Sequence, residues 1–156
     1  MSEADGLRVG WLGLGSMGSL VVERLLGAGR DVTGWNRTAA KGEPLVEKGM
    51  RWADTPRQVA ESSDVVLSML TDGAAVEAVT EGPDGLIAGL PPGAVYADMS
   101  TVSPELSRAV AERVAAAGAT MLDAPVSGSP VTLAEGKLAI IEATRRAARE
   151  MGGSNE

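Results

Sequence analysis

The 156-residue chain has no cysteine, no histidine and no phenylalanine, and only one tyrosine. Without cysteine there can be no disulfide and no thiolate metal site. Without histidine the imidazole ligands and the commonest general base are missing as well, so no metal site is expected. Any proton donor must be Lys, Tyr, Asp, Glu or an assisted hydroxyl. Aromatic residues make up 3% of the chain, so the core has to be built from Val, Leu, Ala and Met. There is no basic run and the formal net charge is −7. That argues against a nucleic-acid partner, which needs a cationic surface for phosphates. One phosphorylated small molecule needs only a local cation and stays compatible. No apolar run reaches the ~18 residues of a membrane helix. The start, Met1-Ser2-Glu3-Ala4-Asp5, is acidic and has no signal-peptide pattern. No membrane partner and a cytoplasmic location are therefore expected.

What is present is 44% hydrophobic residues, 20 glycines and 8 prolines, a composition of short elements and many turns. Apolar runs that suit strands buried on both faces alternate with segments of three- and four-residue apolar spacing. Strands are predicted at 7–12, 31–35, 50–52, 64–70, 94–98, 120–123 and 138–141. Helices are predicted between them, with Thr55-Pro56 and Ser103-Pro104 as N-cap and first helical position. The last helix carries Ala143, Ala147 and Met151 on its apolar edge. No repeat or linker divides the chain. The expected architecture is one α/β domain at 7–151, a Rossmann-like, doubly wound, mostly parallel sheet with helices on both faces, between a flexible start at 1–6 and a flexible tail at 152–156.

The most informative stretch is Gly13-Leu14-Gly15-Ser16-Met17-Gly18, which follows the first apolar strand and opens an amphipathic helix. This is the G-x-G-x-x-G spacing. Gly13 allows the tight turn, Gly15 lets backbone approach a pyrophosphate, and Gly18 lets helix and strand lie close. The free N–H groups and the positive end of the helix dipole then hold the anion. The same spacing also fits a βα turn with no ligand.

The second strand ends at Asn36-Arg37-Thr38. A dinucleotide fold that takes NAD has an acid here for the ribose 2′-hydroxyl. This chain has none. Arg37 suits a 2′-phosphate, and NADP(H) is expected over NAD(H). A solvated loop arginine is the alternative. Leu70-Thr71-Asp72 and Asp98-Met99-Ser100-Thr101 should end two further strands at the same sheet edge, where ligands of such sheets bind. Taken alone, Ser100 and Thr101 read as turn and cap residues.

Four stretches agree in order and combination: the glycine turn, Trp35-Asn36-Arg37-Thr38, Asp98-Met99-Ser100-Thr101-Val102-Ser103-Pro104, and Asp123-Ala124-Pro125-Val126-Ser127-Gly128. From about residue 7 to 141 the chain resembles the N-terminal NADP-binding domain of the β-hydroxyacid dehydrogenases. That family includes 3-hydroxyisobutyrate dehydrogenase and tartronate semialdehyde reductase, and its cofactor domain is of the 6-phosphogluconate dehydrogenase type. The resemblance implies hydride transfer between NADP(H) and a small β-hydroxy acid or semialdehyde. It implies cofactor contacts from Gly13, Leu14, Gly15, Ser16, Met17, Gly18, Asn36, Arg37, Thr38, Leu70, Thr71 and Thr101. Ser127 and Gly128 match the substrate loop, although Ser129 stands where the family commonly has a glycine, and Thr71 where many members have proline. The family's catalytic lysine and the asparagine one turn later lie in a helical segment with no counterpart here; Lys41, Lys48 and Lys137 do not match it. No catalytic residue is therefore assigned. A partner chain or second copy is expected to supply the missing helical domain.

Three functions follow. The first is the cofactor domain of such an oxidoreductase, not complete in catalysis alone. The second is a non-catalytic NADP-binding module, and the third is a protein-interaction scaffold without cofactor. The intact glycine spacing together with Arg37 argues against the third.

Overall fold

The computed structural model describes residues 6–124. The strand expected at 138–141, the last helix, the tail, and Ser127 and Gly128 lie outside the described residues, as do residues 1–5. Among the described residues six strands form one sheet in the order β3-β2-β1-β4-β5-β6, and every neighbouring pair is parallel. The strands are β1 (Arg8–Leu12), β2 (Asp31–Trp35), β3 (Arg51–Trp52), β4 (Val65–Ser68), β5 (Val95–Asp98) and β6 (Thr120–Asp123). The helices are α1 (Ser16–Gly27), α2 (Glu43–Glu47), α3 (Pro56–Glu61), α4 (Gly73–Thr80), α5 (Leu86–Gly89) and α6 (Pro104–Ala116), and a 3-10 turn at Ala39–Gly42 precedes α2.

Two apolar clusters sandwich the sheet because strand side chains alternate between its faces. In β4, Val65 and Leu67 join Val21, Val22 and Leu25 of α1. Val66 between them faces Val59 of α3, Val76 of α4 and Val110 of α6. In β5, Ala97 belongs to the first cluster and Tyr96 to the second. Burial on both sides is why these strands read as unbroken apolar runs. Three helices start on a side-chain cap: Thr55 accepts from the Gln58 N–H, Asp72 from Ala75 and Ser103 from Leu106. The Asp72 cap sets the start of α4 at Gly73.

At the end of the sheet away from the glycine turn, Arg8 and Asp64 tie β1 to β4. The Arg8 N–H donates to Asp64 Oδ2 at 2.9 Å and its guanidinium to Oδ1 at 3.1 Å. The hydrogen bonds from Arg8 hold the Asp64 carboxyl below its ordinary pKa range. A lowered folded-state pKa gives stability that is present above the unfolded value, about 4, and is lost as pH falls through the folded value. Asp64→Asn is therefore expected to flatten the acid limb of the stability–pH curve and to cost little at neutral pH, because both side chains are exposed. Urea midpoints at pH 3 and pH 7 check this; equal losses at both would contradict it.

Candidate functional site: the carboxyl edge of the sheet

The strand order reverses between β1 and β4: α1 leaves β1 towards β2 on one side, and α4 leaves β4 towards β5 on the other. A crevice opens outside the carboxyl ends at such a reversal. The turns after β1, β2, β4 and β5 meet there. Gly13 N–H donates to Trp35 O at 3.1 Å, Met69 N–H to Leu12 O at 3.0 Å and Met99 N–H to Ser68 O at 2.8 Å. The predicted cofactor residues, all among the described residues, are brought to one edge by the parallel register, although up to 88 positions separate Gly13 from Thr101 in the chain.

The three glycines of the turn have three different physical reasons. Gly13 has φ +104°, and a Cβ on it would sit 2.3 Å from the Met69 carbonyl oxygen. A Cβ on Gly18 would sit 2.1 Å from the Gly13 carbonyl oxygen, so its absence lets α1 descend onto the turn. Gly15 differs from both. Its φ is −74°, it is exposed, and nothing lies within 4 Å of where a Cβ would be. Nothing in the described residues requires glycine at this position.

Gly15 is also the N-cap of α1, and no side chain caps that helix. The first turn holds no acid either, so the N–H groups of Ser16, Met17 and Gly18 face the positive end of the dipole without an internal anion. By contrast, Thr55, Asp72 and Ser103 fill that role on α3, α4 and α6.

The remaining predicted residues divide by exposure. Arg37, Thr38, Thr71 and Thr101 are exposed at the edge, as is Ser16. Arg37 makes no ion pair among the described residues, whereas Arg8, Arg51, Arg57 and Arg113 each do. Leu14 and Asn36 bond to each other: the Leu14 N–H donates to Asn36 Oδ1 at 2.9 Å, and the Leu14 side chain is buried. Leu70 is half-buried, with its N–H donated to Ser100 Oγ at 2.8 Å.

A buried polar chain under this edge is not readable from the sequence. Asp98 is fully buried; its Oδ1 accepts from Ser68 Oγ at 2.9 Å and from the Ser100 N–H at 3.0 Å. Ser68 Oγ also meets the Tyr96 hydroxyl at 2.7 Å. Burial, reinforced by the Asp98 charge and opposed by the Ser68 bond, pushes the Tyr96 pKa well up. The only tyrosine of the chain is thus a neutral core phenol, removed from acid–base work at the edge. The chain of bonds joins the ends of β4 and β5 and, through Ser100, holds the turn at Leu70. Its sequence signal, a Ser and an Asp ending apolar strands with a second Ser two residues on, is the kind that also fits ordinary turns.

Two other groups were missed by reading along the chain. Trp11 donates its indole N–H to Gly13 O at 2.7 Å in a buried bond. Lys41 lies on the 3-10 turn that begins past Thr38, with its N–H bonded to Thr38 O at 3.2 Å. An open groove of about 430 Å³ lined by Ala39, Gly42, Glu43, Val46, Glu47 and Trp52 lies beside β3. Among the described residues there is no cluster of metal-ligating side chains, and no helix is long and apolar enough to cross a membrane.

Comparison with known proteins matches this arrangement. The family model described as the NAD binding domain of 6-phosphogluconate dehydrogenase covers residues 8–152. The cytokine-like nuclear factor N-PAC of Danio rerio is 41% identical over 143 residues, which is 92% of this chain and 31% of that protein. The structure of 3-hydroxyisobutyrate dehydrogenase from Mycobacterium tuberculosis with L-serine superposes with a TM-score of 0.75 at 29% identity, covering 83% of this chain and 44% of that one. Psf3 in complex with NADP+ and 2-OPP gives 0.74 at 31% identity, covering 78% and 43%. The chain spans between a quarter and a half of the length of the curated relatives it matches. With a family match over most of its length, the Rossmann-type strand order and the glycine turn at the switch point, the chain belongs to the family of the NAD binding domain of 6-phosphogluconate dehydrogenase.

Proposed function

We propose that this chain binds NADP(H) in preference to NAD(H), and that it serves as the cofactor half of a β-hydroxyacid dehydrogenase-type oxidoreductase. The observation that carries the reading is the start of α1: an uncapped helix N-terminus over Gly15, whose missing side chain leaves a space that the described residues do not fill. Backbone N–H groups of Ser16, Met17 and Gly18 would bind the pyrophosphate. Arg37 would fork onto the 2′-phosphate, with the Thr38 hydroxyl beside it and Lys41 as a second positive charge on the same turn. Thr71 and Thr101, exposed at the ends of β4 and β5, would face the rest of the cofactor. The bound nicotinamide supplies hydride transfer; a small β-hydroxy acid or semialdehyde is the proposed substrate class. Psf3, a neighbour in fold, is solved with NADP+, which supports the cofactor type.

The proton donor of the reaction is not assigned to this chain. Tyr96 is in the core and Lys48 is paired with Glu23 at 2.8 Å. A second chain is proposed to supply that donor and to close the site. Titration of NADPH and NADH, followed by energy transfer from the tryptophans, and turnover assays with glyoxylate, succinic semialdehyde and tartronate semialdehyde test these points together. NADPH binding without turnover is the expected result for the chain alone. Binding of neither cofactor would overturn the proposal, and turnover would overturn the need for a second chain.

Gly15→Ala gives a sharper check. At φ −74° with open space around it, the alanine meets no clash; the entropy gain of about 0.4–1 kcal/mol is offset by alanine's poor fit at an N-cap, so stability is expected to change by less than about 1 kcal/mol. Its methyl would enter the space proposed for the pyrophosphate and weaken NADPH about tenfold or more, from an overpacking cost of about 1–3 kcal/mol. Thermal melts and calorimetric titration read the two effects separately. Unchanged affinity would place the pyrophosphate elsewhere.

A further inference from the structure

The peptide that joins Gly13 to Leu14 is held at both of its polar ends by side chains from different strands. Its carbonyl accepts from the Trp11 indole N–H at 2.7 Å in a buried bond. Its N–H donates to Asn36 Oδ1 at 2.9 Å. Asn36 is itself oriented, because its Nδ2 donates to Thr38 O at 3.1 Å. Trp11 is fully buried in the cluster between the sheet and α1. Gly13 carries φ +104°, and glycine can hold either orientation of the peptide that follows at little steric cost. The backbone alone therefore leaves this plane weakly determined. The carbonyl lies against the first turn of α1, where a Cβ on Gly18 would touch it.

We propose that Trp11 and Asn36 are positioning residues of the cofactor site. Together they lock this peptide with its carbonyl under α1, so that the N–H groups of Ser16, Met17 and Gly18 meet the pyrophosphate without a competing carbonyl oxygen. The inference rests on the cofactor reading above. It adds two roles: an indole nitrogen, where a strand position asks only for bulk, and a strand-end asparagine that acts on the glycine turn. An oxygen turned towards an anion repels it, while N–H groups already aimed at it need no reordering on binding.

The test uses the full chain with Trp11→Phe, Asn36→Ala and Asn36→Asp. Two readouts are taken: hydrogen exchange of the Leu14 amide by NMR, and titration of NADPH and NADH. Trp11→Phe keeps an aromatic ring and removes the donor. It is expected to speed Leu14 exchange and to weaken NADPH and NADH by the same factor, about 2- to 10-fold, the worth of one hydrogen bond. Asn36→Ala is expected to expose the Leu14 amide, and Asn36→Asp, which keeps an acceptor oxygen, to restore its protection. A purely structural role would lower the melting temperature and leave the folded protein's affinity and Leu14 exchange unchanged; that result in Trp11→Phe overturns the proposal. If Trp11→Phe fails to fold, the Asn36 pair decides: exposure in one without rescue in the other overturns it. If the unaltered chain binds neither cofactor, the functional reading fails, and the lock still stands or falls on Leu14 exchange.

Discussion

Gly13→Ala is expected to remove a large part of the stability of the domain, about 2–5 kcal/mol out of the 5–15 kcal/mol typical of a domain. Two costs add. A φ of +104° is strained for any residue with a Cβ, by about 1–3 kcal/mol. The new Cβ would also lie 2.3 Å from the Met69 carbonyl oxygen, in the turn after β4, and separating them means pulling β1 from its neighbour. Gly18→Ala meets a similar obstacle, with its Cβ 2.1 Å from the Gly13 carbonyl oxygen, but without the φ cost. The order of loss expected in urea unfolding is Gly13→Ala first, Gly18→Ala second, and Gly15→Ala least, within about 1 kcal/mol of the unaltered chain. A uniform effect across the three would show that the turn is held by something other than these contacts.

Arg37→Ala is expected to weaken NADPH about 10- to 100-fold and to leave NADH within a factor of two. A charge-assisted bond is worth about 1.5–3 kcal/mol, and each 1.4 kcal/mol is tenfold in affinity. The difference should shrink in high salt, because the site is exposed and screening reaches it. Arg37 has no ion-pair partner among the described residues, so its removal should not move the melting temperature. Equal loss of both cofactors would show Arg37 acting on the turn as a whole and not on the 2′-phosphate. Loss of NADPH binding with a falling melting temperature would point to the same conclusion.

Much of the fold was legible from local chemistry. β2 and β6 span the predicted 31–35 and 120–123, and α3 and α6 start on the Thr55-Pro56 and Ser103-Pro104 pairs. The expected strands at 50–52 and 64–70 are shorter at their ends, Arg51–Trp52 and Val65–Ser68: the Met50 N–H turns back to Leu45 O of α2, and the Leu70 N–H goes to the Ser100 side chain. Ser127 and Gly128, expected on the substrate loop, lie outside the described residues, and so does the strand expected at 138–141.

Hydrophobic periodicity and the cap residues by themselves determined the alternation of strands and helices, and the glycine spacing determined which turn an anion could use. Both act over a few residues, so a chain read in order displays them. The strand order, the meeting of Arg37, Thr71 and Thr101 with the glycine turn, and the division of the three glycines into two forced and one free were decided only in the tertiary structure. So was the withdrawal of Tyr96 into a buried chain of Ser68, Asp98 and Ser100. The physical reason is that these depend chiefly on contacts between residues far apart in the chain. A Cβ is forbidden at Gly13 by the Met69 carbonyl in the turn after β4, and Tyr96 is drawn into the core by a bond to Ser68 of the neighbouring strand.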